Sequence, residues 1–112
     1  MKTLNLTISV LALAIIVAGS SPSFGQDAAA GKAVYSKKCQ SCHAADGAGN
    51  ATMANALKVE IKPLSSDEVQ KMSDADLKKV ITSGVGKMKP VTAMMPADVD
   101  NVVAFVRTFK KK

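Results

Sequence analysis

Apolar residues near the C-terminal end of the chain recur at the three- and four-residue spacing of a helix face. They are Val99, Val102, Val103, Val106 and Phe109. The pattern predicts a final helix that begins near Pro96 or Ala97, since proline suits the first turn of a helix. Asp98 and Asp100 near its start, and the lysines at the end of the chain, are placed favourably for the helix dipole.

An alanine-rich stretch after Asp27 predicts the first helix, which runs to about Cys39 because alanine has the highest helix propensity. Gly31 and Tyr35 lie four residues apart and therefore share one face of this helix. A glycine inside a helix costs about 1 kcal/mol relative to alanine. Gly31 therefore predicts a close crossing with another helix.

The segment Ser73–Asp76 predicts the start of another helix, because it resembles a capping box with an acidic residue at its third helical position. This helix is expected to end at residues 83–84. Its apolar positions are Leu77, Val80 and Ile81. A shorter helical turn is predicted over residues 66–72, with Ser65 or Ser66 as its cap.

The remaining segments contain the residues of turns and loops. Residues 46–50 predict a turn, residues 84–90 predict an irregular loop, and residues 51–62 fit either a helix or a loop. The sequence shows neither the alternation of a strand nor an internal repeat, so the predicted fold class is all-α.

The first 25 residues predict a cleaved signal peptide. Lys2 supplies a positive start, the stretch Leu4–Ala18 is mostly apolar, and small residues precede the expected new N-terminus, Gln26. The alternative is an uncleaved membrane anchor, but the apolar stretch is shorter than the ~20 residues of a spanning helix. We therefore expect an exported, periplasmic protein without stable membrane insertion after cleavage.

The mature chain, residues 26–112, has 87 residues and predicts one small domain. Its aromatic side chains number only three, so its core needs additional stabilisation such as a bound group. Its 14 basic and nine acidic residues give a net charge of +5. Arginine clusters and interleaved aromatic residues are absent, which argues against nucleic-acid binding. The charge fits either a solvated surface or attraction of an acidic protein partner.

Both cysteines and the only histidine of the chain lie in one motif, Cys39-Gln40-Ser41-Cys42-His43. The pattern C-x-x-C-H is the attachment site of a c-type haem. Two thiols three residues apart on a helical turn can each add to one vinyl group of the porphyrin, and the following histidine can ligate the iron. The motif therefore predicts one covalent haem c, bound by Cys39, Cys42 and His43.

Three other interpretations of the cysteines explain less. A thioredoxin-like redox pair belongs to a βαβ unit, whose strands are not visible in this sequence. A structural zinc site needs four Cys or His ligands, and the chain has three. A structural disulfide leaves His43 unexplained.

With this motif, the chain resembles the small monohaem class I cytochromes c of bacteria over about residues 31–109. Gly31 and Tyr35 are similar to the glycine and aromatic positions of the family's first helix. Residues 103–107, V-A-F-V-R, resemble the family's C-terminal motif. The resemblance implies a small cytochrome c fold over residues 26–112, in which the N- and C-terminal helices cross around a covalent haem.

The segment 86–90 resembles the methionine-ligand loop of the same family, which implies Met88 as the second axial ligand. Many members have proline directly after that methionine, whereas here Lys89 intervenes and Met95 precedes Pro96 directly. Met88 is preferred because it lies in a glycine-rich loop after a helix, while Pro96 has a structural reason to start one. The candidates are Met88, Met94 and Met95. The methionines assigned to core filling are Met53 and Met72.

Axial ligation by His43 and a thioether suits iron in both oxidation states, and the thioether raises the reduction potential. The expected function is that of a soluble, monomeric electron carrier without enzymatic activity, which shuttles single electrons between respiratory redox partners. The alternative is a haem subunit of a larger periplasmic oxidoreductase complex. A gas sensor that releases Met88 is a further hypothesis, and a peroxidase lacks any visible distal His or Arg pattern.

Lys38, Lys87 and Lys89 flank the attachment motif and the methionine loop. Members of the family usually transfer electrons through an exposed haem edge beside these two elements. The resemblance therefore implies that the three lysines attract an acidic docking face. The alternative is that they only keep the protein soluble, as most surface lysines do.

Overall fold

In the computed structural model, which describes residues 27–111, every regular element is a helix. In chain order the helices are α1 (Ala28–Lys38), α2 (Gln40–His43), α3 (Ala51–Leu57), α4 (Asp67–Gln70), α5 (Asp74–Ser83) and α6 (Pro96–Arg107). The predicted all-α fold class is confirmed. None of the helices in this part of the chain is long and apolar enough to cross a membrane. The predicted signal peptide lies outside the described residues.

Polar side chains cap the helix starts that the sequence predicts. Asp27 accepts hydrogen bonds from two amides in the first turn of α1, at 2.9 and 3.2 Å. Ser66 caps α4, and the Ser73 hydroxyl accepts the Asp76 N–H at 3.1 Å at the start of α5. These bonds satisfy amides that the first turn of a helix leaves unpaired. The three predicted starts are therefore confirmed.

The core lies where α1 and α6 cross, and α5 packs against α6. The buried side chains of α6 are the four valines of the predicted stripe, Val99, Val102, Val103 and Val106. The periodicity also places Phe109 on this stripe, but α6 ends at Arg107, so Phe109 lies in the turn that follows. Its ring still packs against Tyr35, with 5.6 Å between the ring centroids.

Gly31 allows the backbones of α1 and α6 to approach closely. A Cβ atom at this position would lie 1.9 Å from the carbonyl oxygen of Asn101 and 3.0 Å from Cβ of Phe105. The same crossing is joined by a hydrogen bond of 2.9 Å from the Asp27 N–H to Oδ1 of Asn101. The close crossing that Gly31 predicts is therefore present.

Arg107, the last residue of α6, holds the connection between α4 and α5. Its guanidinium donates to the carbonyl oxygen of Gln70 at 2.9 Å and to that of Met72 at 2.6 Å. It also donates twice to Oδ1 of Asp74, at 3.1 and 2.7 Å. Hydrogen bonds from a charged donor are the stronger ones. Arg107 therefore fixes the start of α5, the helix that leads into the methionine loop.

Replacing Gly31 with alanine is expected to lower the free energy of unfolding by about 1–3 kcal/mol, the usual cost of overpacking. In an ordinary helix interior, replacing glycine with alanine would raise the free energy of unfolding by about 1 kcal/mol. Here the contact with Asn101 is expected to make the substitution destabilising instead. Chemical denaturation measures the effect. As a control, Ala33→Gly at an exposed position of α1 should cost only about 1 kcal/mol. A Gly31→Ala variant of undiminished stability would contradict the close crossing.

Candidate functional site

The structure brings Cys39, Cys42 and His43 together on one helical turn. Cys39 immediately precedes α2, and its carbonyl oxygen accepts the N–H groups of Cys42 and His43 at 3.2 and 3.0 Å. Both thiols are free, and both cysteines are partly buried. Together, α2 and its N-cap residue therefore carry the two sulfur atoms and the imidazole of the motif.

The loop after α2 folds back and caps that helix. The Gly49 N–H donates to the carbonyl oxygen of His43 and the Asn50 N–H to that of Cys42, each at 2.9 Å. The side-chain amide of Asn50 donates to the carbonyl oxygen of Ser41 at 3.1 Å. These bonds satisfy carbonyls that the end of a helix leaves free. The backbone of the motif is thus held along its whole length.

The chain leaves α2 at Ala44 in a conformation with φ of 66° and ψ of 164°. This region is almost exclusive to glycine, and another residue in it costs on the order of 1–3 kcal/mol. The Tyr35 hydroxyl donates to the carbonyl oxygen of Ala44 at 2.5 Å. Burial raises the pKa of Tyr35 to about 12, so the hydroxyl stays protonated and can donate. The strained residue is thus hydrogen-bonded to the core.

Burial also shifts the pKa values of two groups in the motif towards their neutral forms. It raises the pKa of the Cys39 thiol to about 11, with a smaller contribution from Cys42, and it lowers the pKa of His43. At neutral pH the thiol is therefore protonated and the imidazole neutral, and a neutral imidazole can ligate a metal.

Nδ1 of His43 is buried and has no hydrogen-bond partner among the described residues. Buried polar atoms are normally paired, so the described residues alone do not complete the surroundings of this ring. Neighbouring free thiols and a neutral imidazole are the donors that a covalently attached haem uses. The residues of the motif therefore fit that group.

Met88 lies on a separate element, a tight turn between α5 and α6. Val85 and Met88 exchange two backbone hydrogen bonds of 2.9 Å across Gly86, which has φ of 55°. A Cβ atom at Gly84 would lie 2.6 Å from the carbonyl oxygen of Met88. Both glycines are thus required by the turn, which presents Met88 in a half-buried position.

The other two candidate methionines occupy different surroundings. Met95 directly precedes α6 and is 70% exposed. Met94 lines a cavity between α5 and α6 that also contacts Lys78 and Val99. Among the described residues, no hydrogen bond joins the attachment motif to any of the candidate methionines, Met88, Met94 and Met95.

Two contributors to the site escape prediction from the sequence. No local sequence pattern predicts the hydrogen bond of the Tyr35 hydroxyl. The positive φ of Ala44 is not predicted either, because alanine rarely adopts one. Asn50, by contrast, does carry one. It caps α3, which lies in the stretch left open by the sequence, and an asparagine just before an alanine-rich run is a typical helix start.

Comparisons with known proteins agree on one family. A family model described as cytochrome C oxidase, cbb3-type, subunit III matches residues 26–106. The chain is 35% identical over 108 residues to cytochrome c6 of Picosynechococcus sp. (strain ATCC 27264 / PCC 7002 / PR-6), with 90% of this chain and 89% of that protein covered. A solved structure, the KustC0563 c-type cytochrome, is 30% identical with a TM-score of 0.63, covering 72% of this chain and 98% of that one.

Among the described residues, only six apolar side chains are buried, which is a small core for one domain. If a covalently attached group completes it, a variant with Cys39→Ala, Cys42→Ala and His43→Ala should be largely unfolded or molten. Far-UV circular dichroism during a thermal melt provides the measurement. Ser41→Ala, at the exposed position within the motif, is the control and should melt cooperatively. A cooperative, fully helical melt of the triple variant would refute this expectation.

Proposed function

The chain belongs to the cytochrome c family, and we propose that it is an exported carrier that passes single electrons between respiratory redox proteins. It is a small monohaem class I cytochrome c, an electron-transfer protein with covalently bound haem c. The observation that carries the proposal is the C-x-x-C-H turn, where two free thiols and an imidazole with an unpaired nitrogen lie together. Export is supported by the signal peptide that residues 1–25 predict.

The attachment residues in this proposal are Cys39 and Cys42, and the axial ligands are His43 and Met88. Haem c supplies an iron that takes up and releases one electron. The thiols hold the group to α2, and the capped backbone of that helix keeps His43 in place. Support for Met88 comes from its tight glycine turn and half-buried position, since Met95 is mostly exposed.

The proposed ligands favour electron transfer over catalysis. A histidine and a thioether together would occupy both ligand positions that the porphyrin leaves on the iron, so none would be open to oxygen or peroxide. Both ligands suit the oxidised and the reduced iron, and the soft sulfur raises the reduction potential. A carrier of this kind changes charge with little rearrangement. We therefore propose that the protein is not an enzyme.

A second candidate function is that of a haem subunit in a larger oxidoreductase complex. The description of the matching family model, which names a subunit of an oxidase, favours it. Purification of the native protein under mild conditions separates the two candidates. A carrier elutes as a small monomer, whereas a subunit elutes together with larger partner chains.

The surface near the methionine turn supports an acidic docking partner. Lys38, Lys87 and Lys89 are all exposed, and Val85, two residues before Lys87, is 60% exposed. Interfaces commonly combine an apolar centre with a charged rim. Positive charge would steer a partner of opposite sign into contact and speed association.

Replacing Met88 with alanine should remove the weak charge-transfer band that ferric His/Met cytochromes show at the red end of the visible spectrum. It should also lower the reduction potential on the order of 0.1 V or more, within the ~0.8 V range that axial ligands cover. A redox titration followed by visible absorption measures both. Met94→Ala and Met95→Ala are matched controls that should keep the band. If the band survives in Met88→Ala and is lost in one of the controls, the methionine replaced in that control is the ligand.

The rate of electron transfer to an acidic redox protein is expected to fall with ionic strength, because salt shortens the screening length to about 10 Å at ~0.1 M. Lys87→Glu combined with Lys89→Glu should slow the reaction at low salt. Stopped-flow kinetics measure the bimolecular rate. Lys110→Glu with Lys111→Glu makes the same change in net charge at the C-terminal end of the chain and should have a smaller effect. If the two double variants slow the reaction equally, the rate depends on net charge and not on the position of the lysines. A rate that does not change with salt would exclude electrostatic steering.

A further inference from the structure

We propose that Tyr35 is a positioning residue for His43, because its hydroxyl holds the carbonyl of Ala44 and so keeps the strained backbone after the ligand in place. This inference rests on the proposed function, in which His43 is an axial ligand. It assigns a role in the electron-transfer site to a side chain of α1, outside the attachment motif.

The strain lies directly beside the ligand. The N–H of Ala44 still belongs to α2, since it donates to the carbonyl oxygen of Gln40 at 2.9 Å. The conformation at Ala44 itself, with φ of 66° and ψ of 164°, is one that alanine avoids. A relaxation of Ala44 would therefore turn the peptide that follows His43 and disturb the end of the helix that carries the imidazole.

Two donors hold the carbonyl oxygen of Ala44 against this relaxation. The Gly47 N–H lies 3.2 Å away, and the Tyr35 hydroxyl lies 2.5 Å away. Gly47 belongs to the same loop, so its N–H restrains Ala44 only relative to that loop. Tyr35 is anchored in the core, where it is 1% exposed and its ring packs 5.0 Å from that of Phe105. The restraint from a rigid element therefore comes from Tyr35.

Tyr35 also fixes the other end of the motif. Its backbone carbonyl accepts the N–H of Cys39 at 2.9 Å. One residue of α1 thus contacts the backbone just before α2 and just after it. The orientation of the His43 ring relative to the α1–α6 core depends on both contacts, and only the second can be removed without changing the main chain.

The test uses Tyr35→Phe, which removes the hydroxyl and keeps the ring. The ferric holoprotein should keep its haem, but the paramagnetically shifted NMR signals of the haem methyl groups should move, because those shifts depend on the orientation of the axial imidazole. The equilibrium constant for unfolding should rise about tenfold with the loss of this buried hydrogen bond. Ala44→Gly alone should leave the methyl shifts unchanged, because the Tyr35 hydroxyl still donates to the carbonyl oxygen of residue 44.

The double variant Tyr35→Phe/Ala44→Gly distinguishes positioning from simple packing. Glycine adopts the conformation at position 44 without strain, so the methyl shifts should return towards those of the wild type although the hydroxyl is absent. Shifts that do not move in Tyr35→Phe, or that are not restored in the double variant, would overturn the inference. If Tyr35→Phe does not mature, the double variant should mature, and failure of both would also overturn it.

A separate outcome addresses the proposed function itself. If the wild-type ferric protein lacks the low-spin spectrum of a histidine-ligated haem, the ligation proposed for His43 is wrong and this inference falls with it. If the wild type has that spectrum but the methyl shifts of Tyr35→Phe and of the double variant do not differ from each other, only the role of Tyr35 is refuted. The two failures are therefore distinguishable.

Discussion

The approach of α1 to α6 is so close at Gly31 that no side chain fits between the helices, and the other elements are arranged around this contact. The crossing buries the Tyr35 ring against the rings of Phe105 and Phe109, near the C-terminal end of the chain. From the same Tyr35, two hydrogen bonds reach the backbone on either side of the attachment turn. A methyl group at Gly31 would therefore disturb the support of α2 as well as the packing of the core.

A second set of contacts, between α6 and the segment that leads into the methionine turn, fixes that turn. Arg107 binds the α4–α5 connection through two carbonyl groups and the carboxylate of Asp74. α5 then packs against α6, and an ion pair between Lys78 and Asp100 joins the two helices. The turn that carries Met88 follows directly. The attachment motif thus takes its position from contacts with α1, and the proposed second ligand takes its position from contacts between α5 and α6.

Much of this arrangement is local enough to predict from the sequence. The helix starts at Asp27, Ser66 and Ser73 follow from capping chemistry, and the buried valines of α6 follow from periodicity. The features that escape prediction depend on residues far apart in sequence or on backbone angles. The Tyr35 hydroxyl meets a carbonyl that no pattern points to, and the positive φ of Ala44 occurs where glycine would have been the signal.

The contact between Asp27 and Asn101 spans 74 residues of sequence, nearly the whole of the described chain. Closing so long a loop costs conformational entropy, which the contacts between α1 and α6 must repay. During synthesis the first helix has no partner until α6 has been made. Until α1 and α6 meet, the two thiols of the attachment turn lie on an open chain. The order of the helices along the chain thus sets a sequence of events in time, in which modification can precede closure of the fold.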